Sequence, residues 1–531
     1  MTTTLPAPAA TGRLWGLLLV LAGNMLIDAL EVSVAVVALP AIGTDLGQPP
    51  TVTQWAMTGF AAGFGGLLLF GARVVTLLGR RRVYLAALLA FAAASALSAL
   101  AHDPWLLLAT RLLKGFCAAL TAPTGLAIIT SAFPEGRPRT RAVSVYTLFG
   151  AGGFTTGLLL SGWLTETSWR YAFAFPAPVV LLLFAFGLRL IPNEHPAPST
   201  PNETPPKDLG TPTALKGPAV STEAALSALK GRGELRDQPP PPRTRTTARN
   251  FGIPSALTFL GALLALVQGI TQLPTHPWTT PQTAAPLTAA LLLLLLFRHI
   301  EHRSTAPLLN IGPSLRRNPA LLRSAAGAAC LNGSYLGLLF VLTYQTQTLA
   351  GWSPLRTALA LLPAAAPPAL TALVSGRLVT RFGAPRLIAA GAACAFAGFL
   401  LQLRPHAWPL DYPGRMLPTL LLVGVAFVLS FAALNMQAMS RLTPADRLTG
   451  SGLYQTAVQL AALLAVALVA ALLAAHTPAP GAGPAAAAAA CRPALTLVAA
   501  LGFLGLLAGL TGLTRTATPP ATTPSSLHHG E

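Results

Sequence analysis

The reading of this chain turns on one stretch near its start, LWGLLLVLAGNMLIDALEVSVAVVALP, Leu14 to Pro40. From Leu14 to Val37 it is apolar almost throughout, too long for the h-region of a signal peptide, and no small-residue cleavage site follows before Pro40. A helix needs about 20 apolar residues to cross a hydrocarbon core of about 30 Å, so the segment reads as a first membrane span. Two acids, Asp28 and Glu31, interrupt it. A charge at that depth costs about 3 kcal/mol or more, so it faces a partner or a water-filled cavity.

Working outward, the same kind of block recurs. Apolar runs fall at 14–40, 54–75, 83–101, 105–130, 142–164 and 171–191, then at 252–272, 282–297, 320–345, 354–376, 385–403, 416–438, 448–475 and 493–514. The run at 282–297 is short and leaves a re-entrant piece open. Fourteen spans predict an all-helical integral membrane protein. Composition agrees: 53% of the 531 residues are hydrophobic, only 10% are charged, and the mean hydropathy is +0.60. A soluble surface carries about a quarter charged residues. The net charge of +19 does not read as nucleic-acid binding, because the basic residues sit in short clusters between apolar runs rather than on one polar face. Cys117, Cys330, Cys394 and Cys491 lie in or beside apolar runs without CxxC or metal spacing and read as small packing residues.

The clusters give direction. Alternate loops hold Arg80, Arg81, Arg82; Arg137, Arg139, Arg141; Arg298, Arg303, Arg316, Arg317; Arg377, Arg381, Arg386; and Arg441, Arg447, against only Arg170, Arg356, Arg404, Arg415 and Arg492 on the other side. The Lys/Arg rule therefore predicts both termini in the cytoplasm. Residues 192–250, rich in Pro, Thr and charge, cannot bury a core and read as a disordered cytoplasmic linker. The expected organisation is a tail (1–13), a six-helix bundle (14–191), the linker (192–250), two additional spans (251–298), a cytoplasmic loop (299–319), a second six-helix bundle (320–514) and a tail (515–531).

One pattern occurs twice. After the second span the chain reads GARVVTLLGRRR, Gly71 to Arg82; after the tenth, GRLVTRFGAPR, Gly376 to Arg386. Each has a glycine, an arginine, a threonine, a second glycine and then arginine, on the same side of the membrane. This order predicts a duplicated bundle with a site between its halves; two ordinary positive loops are the plainer alternative.

On these residues the chain resembles the major facilitator superfamily, in its fourteen-helix drug:proton antiporter branch. Leu30 to Pro40 is similar to the branch's acidic first-helix motif, with Glu31 at its carboxylate. Gly71, Arg73, Thr76, Gly79, Arg80 and Arg81, with the second copy Gly376, Arg377, Thr380 and Gly383, resemble the superfamily's gating loop motif. Arg111-Leu-Leu-Lys114-Gly115, followed by Pro123, resembles the Arg-x-x-Gln-Gly motif associated with proton coupling. Gly153, Gly157 and Gly162 stand where the antiporter motif has its glycines, and Ser168-Trp169-Arg170 matches the turn into helix six. There are departures. The loop motif's acid is Thr76, echoed by Thr380, and threonine forms no ion pair. The fourth-span Gln is Lys114, and Leu158 replaces a proline. The resemblance implies a fold of two six-helix bundles plus two extra helices. It also implies a monomeric, proton-coupled exporter of a small organic compound in a bacterial inner membrane, working by alternating access without a cofactor.

The residues read independently point the same way. Asp28 and Glu31 are the only acids well inside spans, and a separation of three puts them on one helix face. Like charges that close in a dry setting favour holding a proton. Arg111 and Lys114, also three apart, are the natural counter-charges. By helical rise Glu31 lies roughly 15 Å from its outer helix end and Arg111 roughly 10 Å from its own. Glu31 is thus the expected proton carrier, with Asp28 in coupling or cation attraction and Arg111 tuning both; a fixed polar cluster locking two helices is the alternative. Trp55, Asn435, Gln437, Tyr454, Gln455 and Gln459 are candidates for a substrate cavity, or for helix packing. No GxxxxGK[ST] is present, the glycines at 150–157 do not fit GxGxxG, and no His/Cys/acid group offers a metal site, so enzymatic function is not expected. A nutrient importer and a non-transporting membrane sensor that keeps the fold remain as alternatives.

Overall fold

The computed structural model of the chain describes residues 8–192, 252–304, 317–404, 409–443, 446–477 and 483–514, with scattered positions between 307 and 315. The C-terminal tail and nearly all of the 192–250 linker lie outside these residues. Among the described residues every regular element is helical. Thirteen helices are long and apolar enough to cross a membrane, and one bent pair makes a fourteenth. In chain order they are α1 (Gly12–Leu46), α2 (Pro50–Leu78), α3 (Arg80–Ala99), α4 (Pro104–Ala132), α5 (Arg137–Thr165), α6 (Trp169–Leu190), α7 (Ile253–Gln272), α8 (Pro281–Arg303), α9 (Pro319–Leu349), the broken α10 (Pro354–Thr371 and Ser375–Phe382), α11 (Ala384–Gln402), α12 (Tyr412–Met439), α13 (Thr449–Ala475) and α14 (Pro484–Leu513).

Three helices differ from expectation. The first continues through Pro40 to Leu46; proline is tolerated in membrane helices because neighbouring groups take up the freed carbonyl. Glu31 is therefore roughly 22 Å from that helix end rather than 15 Å. The short run at 282–297 is one helix extended at both ends, Pro281–Arg303. The interruption falls instead in the tenth span, where Pro363, Pro367 and Pro368 precede a 76° bend. Each proline removes a backbone donor and crowds the preceding turn, so three in one helix leave its far end free to turn away.

The two sets of six pack in the same pattern. In the first, α1 lies along α5, α2 along α4, and α3 against α4 and α6; in the second, α9 lies along α13, α10 along α12, and α11 against α12 and α14. Each element finds its counterpart eight helices later, as a duplicated bundle requires. The repeated turns match in backbone as well. Gly79 (φ 88°, ψ 143°) and Gly383 (φ 81°, ψ 139°) both adopt a left-handed conformation that side chains avoid, and both start the next helix. The halves meet along a seam made by α5 on α10, α2 on α13 and the middle of α1 on α9. Helix α7 lies against both α2 and α13, bridging the seam from outside, while α8 packs chiefly on α7.

Candidate functional site

Glycines in α2 and α4 decide how near the charged residues come to one another. A methyl group at Gly63 would strike the Leu112 carbonyl, and one at Gly115 would strike the Phe60 carbonyl. With hydrogen at both positions the two backbones touch. Helix α4 is thereby held deep enough for Arg111 to reach past α2 to α1. The antiporter-motif glycines do the same for α5. Gly153 lies on the Leu26 carbonyl, and Gly157 on Leu30 and Ser33, so α5 covers the stretch of α1 that carries both acids. Gly162 instead faces Leu355 and Ala358 across the seam.

In this enclosure Glu31, Arg111 and Lys114 are all fully buried, at 0% exposure. Arg111 Nη1 and Lys114 Nζ form ion pairs with the two carboxylate oxygens of Glu31. The rest of the guanidinium is satisfied by backbone: Nη2 donates to the Glu31 carbonyl at 2.9 Å and Nε to the Ala56 carbonyl at 2.5 Å. Aromatic faces complete the shell. Phe60 and Phe173 lie 5.0 and 5.4 Å from the guanidinium carbon, and Phe91 and Phe173 lie 5.2 and 5.7 Å from the ammonium. Each ring offers its negative face to a cation that has lost its water. Two buried cations thus share one carboxylate.

Asp28, one turn away, stands apart from that network. Its Oδ2 accepts hydrogen bonds from Asn24 Nδ2 at 3.0 Å and Thr121 Oγ1 at 2.9 Å. Its Oδ1 is buried without a hydrogen-bond partner among the described residues. The structure therefore divides the four predicted charged residues into an ion-paired trio and a carboxyl held by neutral donors. Asn24, Thr121 and the three rings escaped the sequence reading. Thr121 follows Arg111 by ten residues on α4, and only the packing of α4 on α1 brings it to Asp28.

Among the described residues, four hydrogen bonds cross the seam. Gln347 Nε2 donates to the Val37 carbonyl (3.0 Å), Thr155 Oγ1 to the Ala365 carbonyl (2.7 Å) and Thr456 Oγ1 to the Gly65 carbonyl (3.3 Å); Glu166 Oε1 accepts from the Leu355 N–H (2.8 Å). All four lie at mid-depth or toward the end that holds the Ser168-Trp169-Arg170 turn, away from the arginine-rich turns. Aromatic rings cross the seam at mid-depth: Phe154 lies 5.6 Å from Tyr335, which lies 4.5 Å from Phe427. Phe431 follows one turn along α12, 6.0 Å from Phe427, and is 44% exposed.

The six cavity candidates separate. Gln459 lines a crevice at the seam with Val32, Phe60 and Leu336, beside the ring that covers Arg111. Asn435 is exposed two turns beyond Phe427 on the same face of α12. Trp55 packs into an apolar cluster with α7 and α13. Gln437 accepts from Ser324 Oγ at 3.4 Å inside the second half. Tyr454 is buried with its hydroxyl unpaired among the described residues, and Gln455 is half-buried. In the loop motif, Thr76 Oγ1 donates to the Arg73 carbonyl at 2.7 Å and Thr380 Oγ1 to the Arg377 carbonyl at 2.9 Å. Both threonines back-bond within their own helix. The Arg81 guanidinium donates to the Leu188 carbonyl at 2.7 Å, and a methyl group at Gly71 would lie 3.1 Å from the Ala119 carbonyl, whereas one at Gly376 would meet open space.

Comparison with known proteins agrees with this architecture. The puromycin resistance protein pur8 of Streptomyces alboniger is 30% identical over 452 residues, 84% of this chain and 79% of that one. The cephamycin export protein CmcT of Amycolatopsis lactamdurans is 31% identical over 438 residues, 81% and 79% respectively. Among solved structures, the peptide transporter POT aligns over 94% of both chains with a TM-score of 0.58 at 14% identity. A bacterial homologue of the human lysosomal transporter Spinster covers 97% of this chain and 98% of its own, with a TM-score of 0.55 at 16% identity. These two speak to the fold alone. The profile of the Major Facilitator Superfamily matches residues 21–466. With that match, the duplicated packing and relatives aligned over four-fifths of its length, the chain belongs to the Major Facilitator Superfamily as a multi-pass membrane transporter.

Proposed function

We propose that this protein exports a small organic compound in exchange for protons, with Glu31 and Asp28 carrying the coupling. The observation that carries the proposal is the trio at the bilayer's depth, in which two cations with no other counter-charge among the described residues share one carboxylate. A permanent ion cluster in such a place is a poor structural device, because desolvation removes most of its net benefit. It becomes useful when the carboxylate alternates between two states. Ionised, Glu31 holds Arg111 and Lys114 and ties α1 to α4. Protonated, it releases two cations that can no longer remain dry, and the helices around them move to let water in. Asp28, hydrogen-bonded only by neutral groups, is the second station.

The arginine-rich turns face the cytoplasm by the Lys/Arg rule, so the conformation described here is tied shut toward the outside. Export then begins from this state. Substrate enters from the cytoplasmic side and meets the Phe154, Tyr335 and Phe427 rings, with Phe431, Asn435 and Gln459 nearby. Relatives named for puromycin resistance and cephamycin export support the direction. The test uses purified protein in liposomes with an imposed pH gradient and a panel of aromatic antibiotics. Movement of a compound against the proton flow, abolished by Glu31→Gln, is expected; movement that ignores the gradient overturns the coupling.

A further inference from the structure

The bend in α10 has no counterpart in the first half of the molecule. There α2 runs without a break to Leu78, and only the glycine turn separates it from α3. In α10 the first limb, Pro354–Thr371, has 18 residues. At 1.5 Å per residue it is about 27 Å long, close to the hydrocarbon thickness. It therefore ends at the membrane surface, and the 76° bend lays Ser375–Phe382 nearly in the plane of that surface. The limb is sharply two-faced. Leu378, Val379 and Phe382 share one side, while Arg377 and Arg381 share the other. Val379 is seated on the protein at 7% exposure, but Phe382 and the preceding Leu373 are 49% and 56% exposed. Arg386 follows at the start of α11.

We propose that this limb is an interfacial helix that holds anionic phospholipid headgroups through Arg377, Arg381 and Arg386. Among the described residues none of the three has a carboxylate within ion-pair distance. The Arg381 guanidinium lies 5.5 Å from the Phe382 ring, which sets a cation directly above an apolar side chain that enters the acyl layer. Guanidinium groups bind phosphate oxygens in pairs. Three of them with no counter-charge among the described residues favour a lipid of net negative charge over a zwitterionic one. The basic turn after α4 is different, since its Arg139 is already paired with Glu135 at 3.0 Å.

The test is native mass spectrometry of the full-length protein in detergent with equimolar phosphatidylglycerol and phosphatidylcholine. Wild type should retain phosphatidylglycerol preferentially. Each arginine near an anionic surface contributes about fivefold in binding, so the triple variant Arg377→Gln, Arg381→Gln, Arg386→Gln should lower that preference at least fivefold. The control Arg137→Gln, Arg139→Gln, Arg141→Gln should leave most of it. An unchanged preference in the first variant, an equal fall in the control, or equal retention of both lipids by wild type overturns the proposal. If the triple variant does not elute as a folded species, Arg377→Gln and Arg381→Gln alone, both on exposed side chains, carry the same comparison.

Discussion

Replacing Glu31 by glutamine keeps the side chain's shape and removes the one carboxylate that faces Arg111 and Lys114. Both cations have 0% exposure and lie under aromatic rings, so neither can turn to solvent without a movement of the helices. Breaking a buried ion pair costs about 3–5 kcal/mol, because the partner is left charged and dry. Here that cost falls on the conformation in which the cations are sealed. At 1.4 kcal/mol per factor of ten, the sealed state should lose at least about a hundredfold in population relative to any state that admits water. Glutamine also has the charge of the proton-loaded acid, so the variant should stall in one part of the cycle. A cysteine introduced at Leu355, across the seam from Glu166, reports the population through its labelling rate with an impermeant maleimide from the outside. Labelling should rise sharply in the variant, and efflux driven by a pH gradient in everted vesicles should vanish. Adding Lys114→Gln removes one of the two uncompensated cations and should slow labelling part of the way back without restoring efflux. The two residues are ion-pair partners, so the substitutions should be strongly non-additive. Wild-type labelling together with fully coupled efflux in Glu31→Gln, at equal expression, would refute the reasoning.

Asp28→Asn keeps an acceptor for Asn24 and Thr121, so thermal stability should change by no more than about 1 kcal/mol. The pH dependence of efflux should flatten, read from initial rates across neutral pH. Gly115→Ala puts a methyl group against the Phe60 carbonyl and 2.8 Å from the Phe64 nitrogen. Prying α2 from α4 should cost about 1–3 kcal/mol, seen as a lower melting temperature in detergent and poorer yield. Phe427→Ala removes a ring 4.5 Å from Tyr335. Resistance to aromatic compounds should fall about two- to tenfold, the worth of one stacked pair, with compounds lacking rings little affected in the same growth assay.

Much of the fold was legible because a membrane reduces the problem to block length. A run of about 20 apolar residues has one stable form, and alternating arginine content fixes the order of turns. The pairing of Glu31 with Arg111 was legible for a related reason: so few charges enter the spans that each has few possible partners. The hydrogen-bond partners of Asp28 were not. Asn24 is a neutral residue among many, and Thr121 lies 93 positions away, where only the tertiary packing of α1 on α4 can bring it. The break in α10 had a visible signal in Pro363, Pro367 and Pro368. A hydropathy window passes over proline, and a span defined by apolar length alone runs straight through the bend. Trp55 and Gln437 show the opposite error. Polar or aromatic character inside a span marks a candidate, but which way the side chain faces depends on helix rotation, and both are taken up by packing, Trp55 with α7 and α13 and Gln437 with Ser324 inside the second half.

The placement of the charged trio explains how a proton in one half can matter to the other. The α9–α14 half holds no buried acid or lysine among its described residues; its buried polar groups, such as Gln345, Thr346, Ser430 and Tyr454, are neutral. On the proposed proton-coupled reading, coupling leaves the first half mechanically, and α1 is the element positioned to transmit it. One turn beyond Glu31, the Val34 carbonyl accepts from Ser161 of α5 at 2.9 Å, beside Gly162, which packs on α10. One further turn on, the Val37 carbonyl accepts from Gln347 of α9. These contacts lie within about 9 Å of Glu31 along a single helix, so a shift of α1 that follows release of Arg111 cannot leave the seam unchanged. The glycines of α5 reinforce this, since Gly153 and Gly157 clamp α1 while Gly162 bears on the opposite half. Close packing of this kind transmits displacement because neither partner can compress. Glu31 and the seam contacts belong to one helix, so under the proposed coupling a carboxylate on α1, rather than on a helix remote from the seam, is the one placed to act on both halves.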